Sequence, residues 1–256
     1  MFSFNNLGRY GKLGNQMFQY AALLSAAEHY DVDYVTAPLS HTGIYKCFNL
    51  NAVGDGFSDD VQQIFREMDF AYSDSLFKSI DPRFNTDIIG YFQSEKYFFD
   101  IRDLIRREFT FRDEVVESVE GVNIDPKDKV AIHIRRADYL GLSDTHPVQP
   151  KSYYLSAMEE FPDSEFLIFS DDIDWCRRSD MFFGEEKKGY FFSNGDTNQD
   201  LYLMSQCRGH IIANSSFSWW GAWLANSGKV IAPKQWFGPK GPKNWQDVYC
   251  EGWRVI

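Results

Sequence analysis

From residue 130 onward, short runs of β-branched and apolar residues alternate with stretches of helical spacing, and few folds accept that alternation. Residues 130–134 (VAIHI) read as a strand, 152–161 (SYYLSAMEEF) as a helix, and 166–169 (FLIF) as a second strand stopped by Ser170-Asp171-Asp172. A weak strand over 190–192, a helix over 197–207, a strand over 210–213 (HIIA), a helix over 217–226 and a strand over 229–232 continue the pattern. Apolar strands separated by helices predict a parallel sheet covered on both faces, and such sheets bind ligands beyond the carboxyl ends of their strands. The polar residues that follow each strand are therefore the ones to read for function.

The first half has a similar start. A strand-like segment over 2–4 leads into a glycine-rich loop over 7–14, a helix over 15–29 and a strand over 32–36, whereas residues 40–110 mix aromatics, charges and turns in no readable order. Gly121, Pro126 and neighbouring charges predict a boundary, giving two α/β domains, 1–126 and 127–256. Charge now becomes informative. The net charge is −11, of which residues 1–128 carry −9 and residues 129–256 only −2, with a local +4 over 201–256. Such acidity excludes a polyanion-coating protein, so no nucleic-acid partner is expected, and an anionic ligand belongs in the C-terminal half. Cys47, Cys176, Cys207 and Cys250 lie far apart, without metal-ligand spacing, and read as reduced thiols. With no signal-peptide pattern and no long apolar run, no transmembrane segment and a cytoplasmic location are expected.

Four segments can carry chemistry. In His133-Ile134-Arg135-Arg136-Ala137-Asp138-Tyr139, strand alternation sets His133 and Arg135 on the face opposite Ile132 and Ile134. Two basic groups then meet at a strand's carboxyl end, to be matched either by an anion or by carboxylates of the chain itself. In 210–226 (HIIANSSFSWWGAWLAN) a strand runs through Asn214-Ser215-Ser216 into an apolar helix. Ser215, Ser216 and the Phe217 amide either cap that helix or hold phosphate oxygens at its N-terminus. The loop Gly8-Arg9-Tyr10-Gly11-Lys12-Leu13-Gly14-Asn15-Gln16 matches neither a dinucleotide fingerprint nor a P-loop, yet its glycines permit close backbone approach to a ligand. Finally, Ser170-Asp171-Asp172-Ile173-Asp174 is read as a helix start rather than a metal cluster. Six of the seven tryptophans fall in the last 38 residues, forming either an aromatic binding wall or a Trp-rich core.

Five segments in order, GKLGNQMFQYAALLSAA (11–27), GYFQSEKYF (90–98), HIRRADYL (133–140), FSDDIDW (169–175) and NSSFSWWGAWL (214–224), resemble the bacterial α-1,2-fucosyltransferases of glycosyltransferase family 11. The resemblance implies a GT-B-like α/β fold, two Rossmann-type domains facing a cleft, with the donor GDP-fucose bound mainly by the C-terminal one. In related fucosyltransferases the first Arg of HxRRxD grips the β-phosphate, a role that falls on Arg135, with His133 and Arg136 beside the nucleotide. An Asp about sixteen residues before the phosphate-binding serine contacts guanine in those relatives, and Asp200 matches it. Ser215, Ser216 and Phe217 fall on the phosphate loop. Lys12, Gly14 and Asn15 fall on a GNQ loop that lines the site, where Lys12 replaces the usual Arg and loses its bidentate fork.

The implied reaction is inverting transfer of L-fucose from GDP-β-L-fucose to the 2-hydroxyl of a galactose, with Arg135, Asn15 and Asp138 nearest the chemistry. Asp138, Asp144 and His146 are the possible bases for the acceptor hydroxyl. The expected partners are GDP-fucose and a galactose-containing glycan acceptor. Membrane-associated glycan biosynthesis would add transient membrane contact through a lipid-linked acceptor. No cofactor and no metal are expected. Transfer with another linkage or acceptor (α-1,6 or protein-directed), and a non-catalytic carbohydrate-binding protein on the same fold, are the alternatives.

Overall fold

The computed structural model describes residues 1–256 except 39–41, 52–57, 122–123, 182–188 and 227. The chain forms two compact units, Met1–Arg112 with Asn244–Cys250, and Asp113–Lys243 with Glu251–Ile256. The division thus precedes the boundary expected after residue 126. The reason is packing: Val119 and Ile124 lie against a core cluster of the second unit, built on Ala131, Leu167, Leu203 and Met204. Residues 244–250 return to the first unit because Asp247 accepts from the Tyr72 amide at 2.9 Å and pairs with Lys96, while Asn244 Nδ2 donates to Asp69 at 2.9 Å.

In the first unit, β1 (Phe2–Phe4), β2 (Tyr34–Thr36), β3 (Gln63–Arg66) and β4 (Thr86–Ile89) make a parallel sheet in the order β2-β1-β4-β3. The long helix α1 (Leu13–Tyr30) follows β1 and is buried over most of its length. It carries Ala21, Ala22, Ala26 and Ala27 on successive turns, the residue best suited to helix and to close packing. Short helices α2 (Ile44–Cys47) and α3 (Ser75–Lys78) precede β3 and β4, and α4 (Arg102–Glu108) follows β4.

The second unit opens with α5 (Asp113–Glu117) and continues as β5 (Lys129–Ile134), α6 (Lys151–Glu159), β6 (Glu165–Ser170), α7 (Ile173–Arg178), β7 (Tyr190–Phe192), α8 (Thr197–Ser205), β8 (Gly209–Ile211), α9 (Ser216–Ala225), β9 (Val230–Ala232) and β10 (Arg254–Val255). All neighbouring strands are parallel, in the order β10-β9-β8-β5-β6-β7. Renumbered within this unit, that is the 3-2-1-4-5-6 arrangement of dinucleotide-binding sheets. Strand order reverses between β5 and β8, which leaves a crevice outside their carboxyl ends. Every residue of β5 is buried, and its alternation is as expected: Val130, Ile132 and Ile134 face α6, whereas Ala131 faces α8 and His133 meets Phe217 of α9.

Four of the tryptophans are core, and Trp245 and Trp253 are half-buried. Trp219, Trp220 and Trp236 are at most 1% exposed and Trp223 is 6% exposed, so the reading of this stretch as an aromatic binding wall does not hold. Rings of Trp219 and Trp220 meet edge to face at 4.8 Å, and Trp253 leans on Trp219 at 5.5 Å. The four cysteines are free and buried. Among the described residues no helix is long and apolar enough to cross a membrane.

Candidate functional site

The β5–β8 switch point gathers the two basic residues and the helix start. Arg135 and Arg136 leave the carboxyl end of β5, and the Asn214-Ser215-Ser216 turn leaves that of β8. Tyr139 ties the two together, its hydroxyl donating to the Asn214 carbonyl at 3.0 Å while the Arg135 guanidinium lies 5.3 Å from its ring centroid.

Both arginines are matched by carboxylates of the chain. Arg135 Nη2 meets Asp138 at 2.6 Å and Nη1 meets Asp171 at 3.2 Å, and Arg136 Nη1 meets Asp172 at 2.6 Å. Asp171 also accepts from the backbone amides of Arg136 (2.8 Å) and Ala137 (3.2 Å), clamping the turn after β5. Asp172 caps α7 by accepting from the Trp175 amide at 3.3 Å, while the Arg136 guanidinium sits 4.5 Å from the Trp175 ring. The acidic cluster is thus a helix start, as its sequence suggested, and also the counter-charge of the arginines. Among the described residues no group of three or more His, Cys, Asp or Glu could hold a metal ion.

Two buried atoms beside these pairs lack a hydrogen-bond partner among the described residues: His133 Nδ1 and Arg135 Nε. An orphaned buried polar atom costs roughly 1–3 kcal/mol, so two of them at the carboxyl end of β5 call for a hydrogen-bond partner. His133 is held neutral, its pKa pushed down to about 3 by burial and by the adjacent Arg135 charge.

At the β8 exit, Ser215 caps α9, its Oγ accepting from the Phe217 amide at 3.4 Å, and Ser216 begins the helix. The Phe217 ring packs on the His133 ring at 5.5 Å. Asn214 is buried and donates from Nδ2 to the carbonyls of Pro147 (3.1 Å) and Trp236 (2.9 Å). Those bonds brace the loop over 142–149, which carries Asp144 and His146. Asp144 pairs with Lys240 at 2.6 Å and is largely exposed.

Asp200 sits in the first turn of α8, accepting a hydrogen bond from Ser193 Oγ, and burial pushes its pKa up to about 7. Beside it lies a cavity of about 280 Å³ lined by Leu167, Phe192, Ser193, Asn194, Gly195 and Gln199, among others. A Cβ on Gly195 would stand 2.7 Å from Asp200 Oδ1, so glycine leaves room for the carboxyl group.

The glycine loop belongs to the first unit. Gly8 and Gly11 have φ of 86° and 93°, and a Cβ on Gly11 would fall 2.1 Å from Asn15 Nδ2. Lys12 is the N-cap position of α1, with no side-chain cap bond, and Gly14 lies in the buried first turn. Asn15 Oδ1 accepts from Gln93 Nε2 at 3.0 Å, Gln16 Oε1 accepts from the amides of Gly43 and Ile44, and Gln19 Nε2 donates to the Gly90 carbonyl at 3.0 Å. Thus Asn15 and Gln93 meet beyond the neighbouring strands β1 and β4. Sequence reasoning passed over Tyr139 and Gln93, and read Asp171 as part of a helix start without its pairing to Arg135. Each lies inside a quoted segment, but nothing in their spacing announces a hydrogen-bond partner 34 to 78 residues away.

The sequence matches the profile of glycosyl transferase family 11 over residues 3–256. The chain belongs to glycosyl transferase family 11. This family 11 chain is 36% identical over 172 residues to an α-1,2-colitosyltransferase of Escherichia coli, covering 60% of this chain and 57% of that protein. It is 27% identical over 244 residues to a bovine galactoside α-(1,2)-fucosyltransferase 1, covering 86% of this chain and 66% of that one. It therefore spans little more than half the length of the bacterial relative. Among solved structures it shares its fold with the fucosyltransferase NodZ from Bradyrhizobium, with TM-score 0.56 and 14% identity over 86% of this chain and 91% of that one.

Proposed function

We propose that this protein transfers L-fucose from GDP-β-L-fucose to the 2-hydroxyl of a galactose in a glycan, with inversion at the anomeric carbon, on a GT-B-like scaffold and without a metal. The observation that carries this reading is the pairing, at the β5–β8 switch point, of Arg135 with the N-terminus of α9. A diphosphate there would satisfy the orphaned Arg135 Nε and His133 Nδ1 and would lie at the N-terminus of α9. The site balances two guanidinium groups against Asp138, Asp171 and Asp172, so the ligand must take over at least one guanidinium edge from a carboxylate. Asp138, 40% exposed against 20% for Asp171, is the partner that yields. The guanine base is assigned to the cavity beside Asp200.

In the reaction the acceptor oxygen forms a bond to the anomeric carbon while the carbon–oxygen bond to the β-phosphate breaks, and GDP leaves with the electron pair. Charge builds on the diphosphate. Donors already aimed at it contribute typically about 3 kcal/mol each to the transition state. Colitosyl transfer with the same linkage is the second reading, favoured by the E. coli relative. Incubation with GDP-fucose and a panel of β-galactosides, read by GDP release and by NMR of the product, tests both. An α-1,2-fucosyl galactoside is expected; an unreacted panel, or another linkage, overturns the proposal.

A further inference from the structure

Three groups near the switch point were weighed as acceptors of the proton from the attacking hydroxyl: Asp138, Asp144 and His146. Asp138 is bound to the Arg135 guanidinium at 2.6 Å, and Asp144 is bound to Lys240 at 2.6 Å on the open surface. A carboxylate engaged by a cation is a poorer base, since taking the proton would break the pair. His146 is different: no other described residue forms a hydrogen bond with its ring nitrogens, and the ring is half-buried.

Its placement is fixed by the loop rather than by the side chain. The His146 amide donates to the Leu142 carbonyl at 2.7 Å, and the Gly238 amide donates to the Thr145 carbonyl at 3.0 Å. On the other side Asn214, of the turn that opens α9, holds the Pro147 carbonyl at 3.1 Å. A Cβ on Gly238 would come within 2.5 Å of the Asp144 carbonyl oxygen, so the loop is seated closely on the 235–241 segment. The imidazole is stacked on Tyr139 at 5.1 Å and 24°, and its other neighbour is Phe237 at 5.4 Å.

Those contacts place the two groups around one ring. The Arg135 guanidinium lies 5.3 Å from the Tyr139 centroid and the imidazole 5.1 Å from it, so guanidinium and imidazole are at most about 10 Å apart. An imidazole that close to the diphosphate-binding guanidinium is within reach of a hydroxyl attacking the sugar held there.

We propose that His146 is the general base of this enzyme, taking the proton of the acceptor hydroxyl as its oxygen bonds to the anomeric carbon. The proton passes to an imidazole nitrogen and then to solvent, the glycosidic electron pair leaves with GDP, and no other reactant is required. The inference rests on the fucosyl-transfer reading. Burial is the main effect on the ring and lowers its proton affinity; of the charged groups around it, Asp138 raises that affinity and Arg135 lowers it, with Tyr139 stacked on its face. A neutral imidazole at neutral pH follows from the balance.

The test compares wild type with His146→Ala and His146→Gln in the full chain, reading GDP affinity by calorimetry and transfer across pH 5–9. Expected are an unchanged GDP affinity, which also shows that both variants fold, and a 10²–10⁴-fold lower kcat. The acid limb of the wild-type profile, below the ordinary histidine range, disappears in the variants, and added imidazole restores part of the rate to His146→Ala. Wild-type kcat in the variants, or a lower kcat with the acid limb intact, overturns the assignment while leaving fucosyl transfer standing. A wild-type protein that does not turn over GDP-fucose overturns both.

Discussion

Arg135 meets several demands with one planar group. It engages Asp138 and Asp171 through different nitrogens, lies over Tyr139, and keeps a buried Nε for a further acceptor. A lysine keeps the charge but offers a single point of contact, so Arg135→Lys should bind GDP more weakly and lose most transfer activity, on the order of 10²-fold in kcat/KM. Wild-type turnover by that variant would remove Arg135 from the diphosphate site. Asp200 makes a prediction about stability. Its pKa stands at about 7 in the folded chain against an ordinary 3.8, so the native state holds a proton that the unfolded chain gives up. The stabilisation is complete below the unfolded value and is lost as pH rises to about 7. Asp200→Asn, neutral throughout, should therefore gain in Tm relative to wild type more at pH 8 than at pH 4.5, and an equal difference at both would refute the buried-proton account. The same variant should weaken GDP binding, as a guanine contact requires. His133 and His210 act with the opposite sign: held down to about 3 and about 4 by burial, they stabilise the fold above pH 6.5 and lose that contribution as pH falls toward those values.

At the level of elements, α9 combines a functional end with a structural body. Its N-terminus carries Ser215 and Ser216, while Trp219, Trp220 and Trp223 bury the rest. Gly221 lies where α9 meets α8, and a Cβ there would approach Met204 Sδ to 2.4 Å, Cγ to 2.7 Å and Cβ to 3.1 Å. Glycine to alanine inside a helix ordinarily gains up to about 1 kcal/mol. Overpacking of a buried contact costs about 1–3 kcal/mol and wins here, so Gly221→Ala should lower the Tm in a thermal melt. A higher Tm would mean that Met204 swings aside freely. Most helices and strands of the second unit were legible in advance because apolar strand runs alternate there with stretches of helical spacing, although α5 and the two-residue β10 were not read. Those of the first unit past residue 40 were not: β3 and β4 are four residues each, and β3 alternates half-buried with exposed positions. Its register comes from pairing with β4, which no local pattern encodes.

On the scale of the whole chain, the charge asymmetry agrees with an anionic ligand in the second unit, though the site is not an open basic patch. Three carboxylates already neutralise its two arginines. Because Asp171 and Asp172 are committed to guanidinium groups, backbone amides and a helix cap, transfer should survive excess EDTA. Loss of activity on chelation, with recovery on adding Mn²⁺, would contradict this. The sequence by itself determined the parallel α/β plan of the second unit, the placing of His133 and Arg135 on one face of a strand, and the resemblance that led to the family. Periodicity and short motifs are local properties, so they can be read without the fold. Only the tertiary structure decided between the alternatives that the motifs left open: tryptophans as core rather than binding wall, arginines paired with Asp138, Asp171 and Asp172, and the β5–β8 reversal that brings residue 135 to residue 215. Those are contacts across tens of residues, and they exist only once strand order and helix packing have chosen which ends lie together.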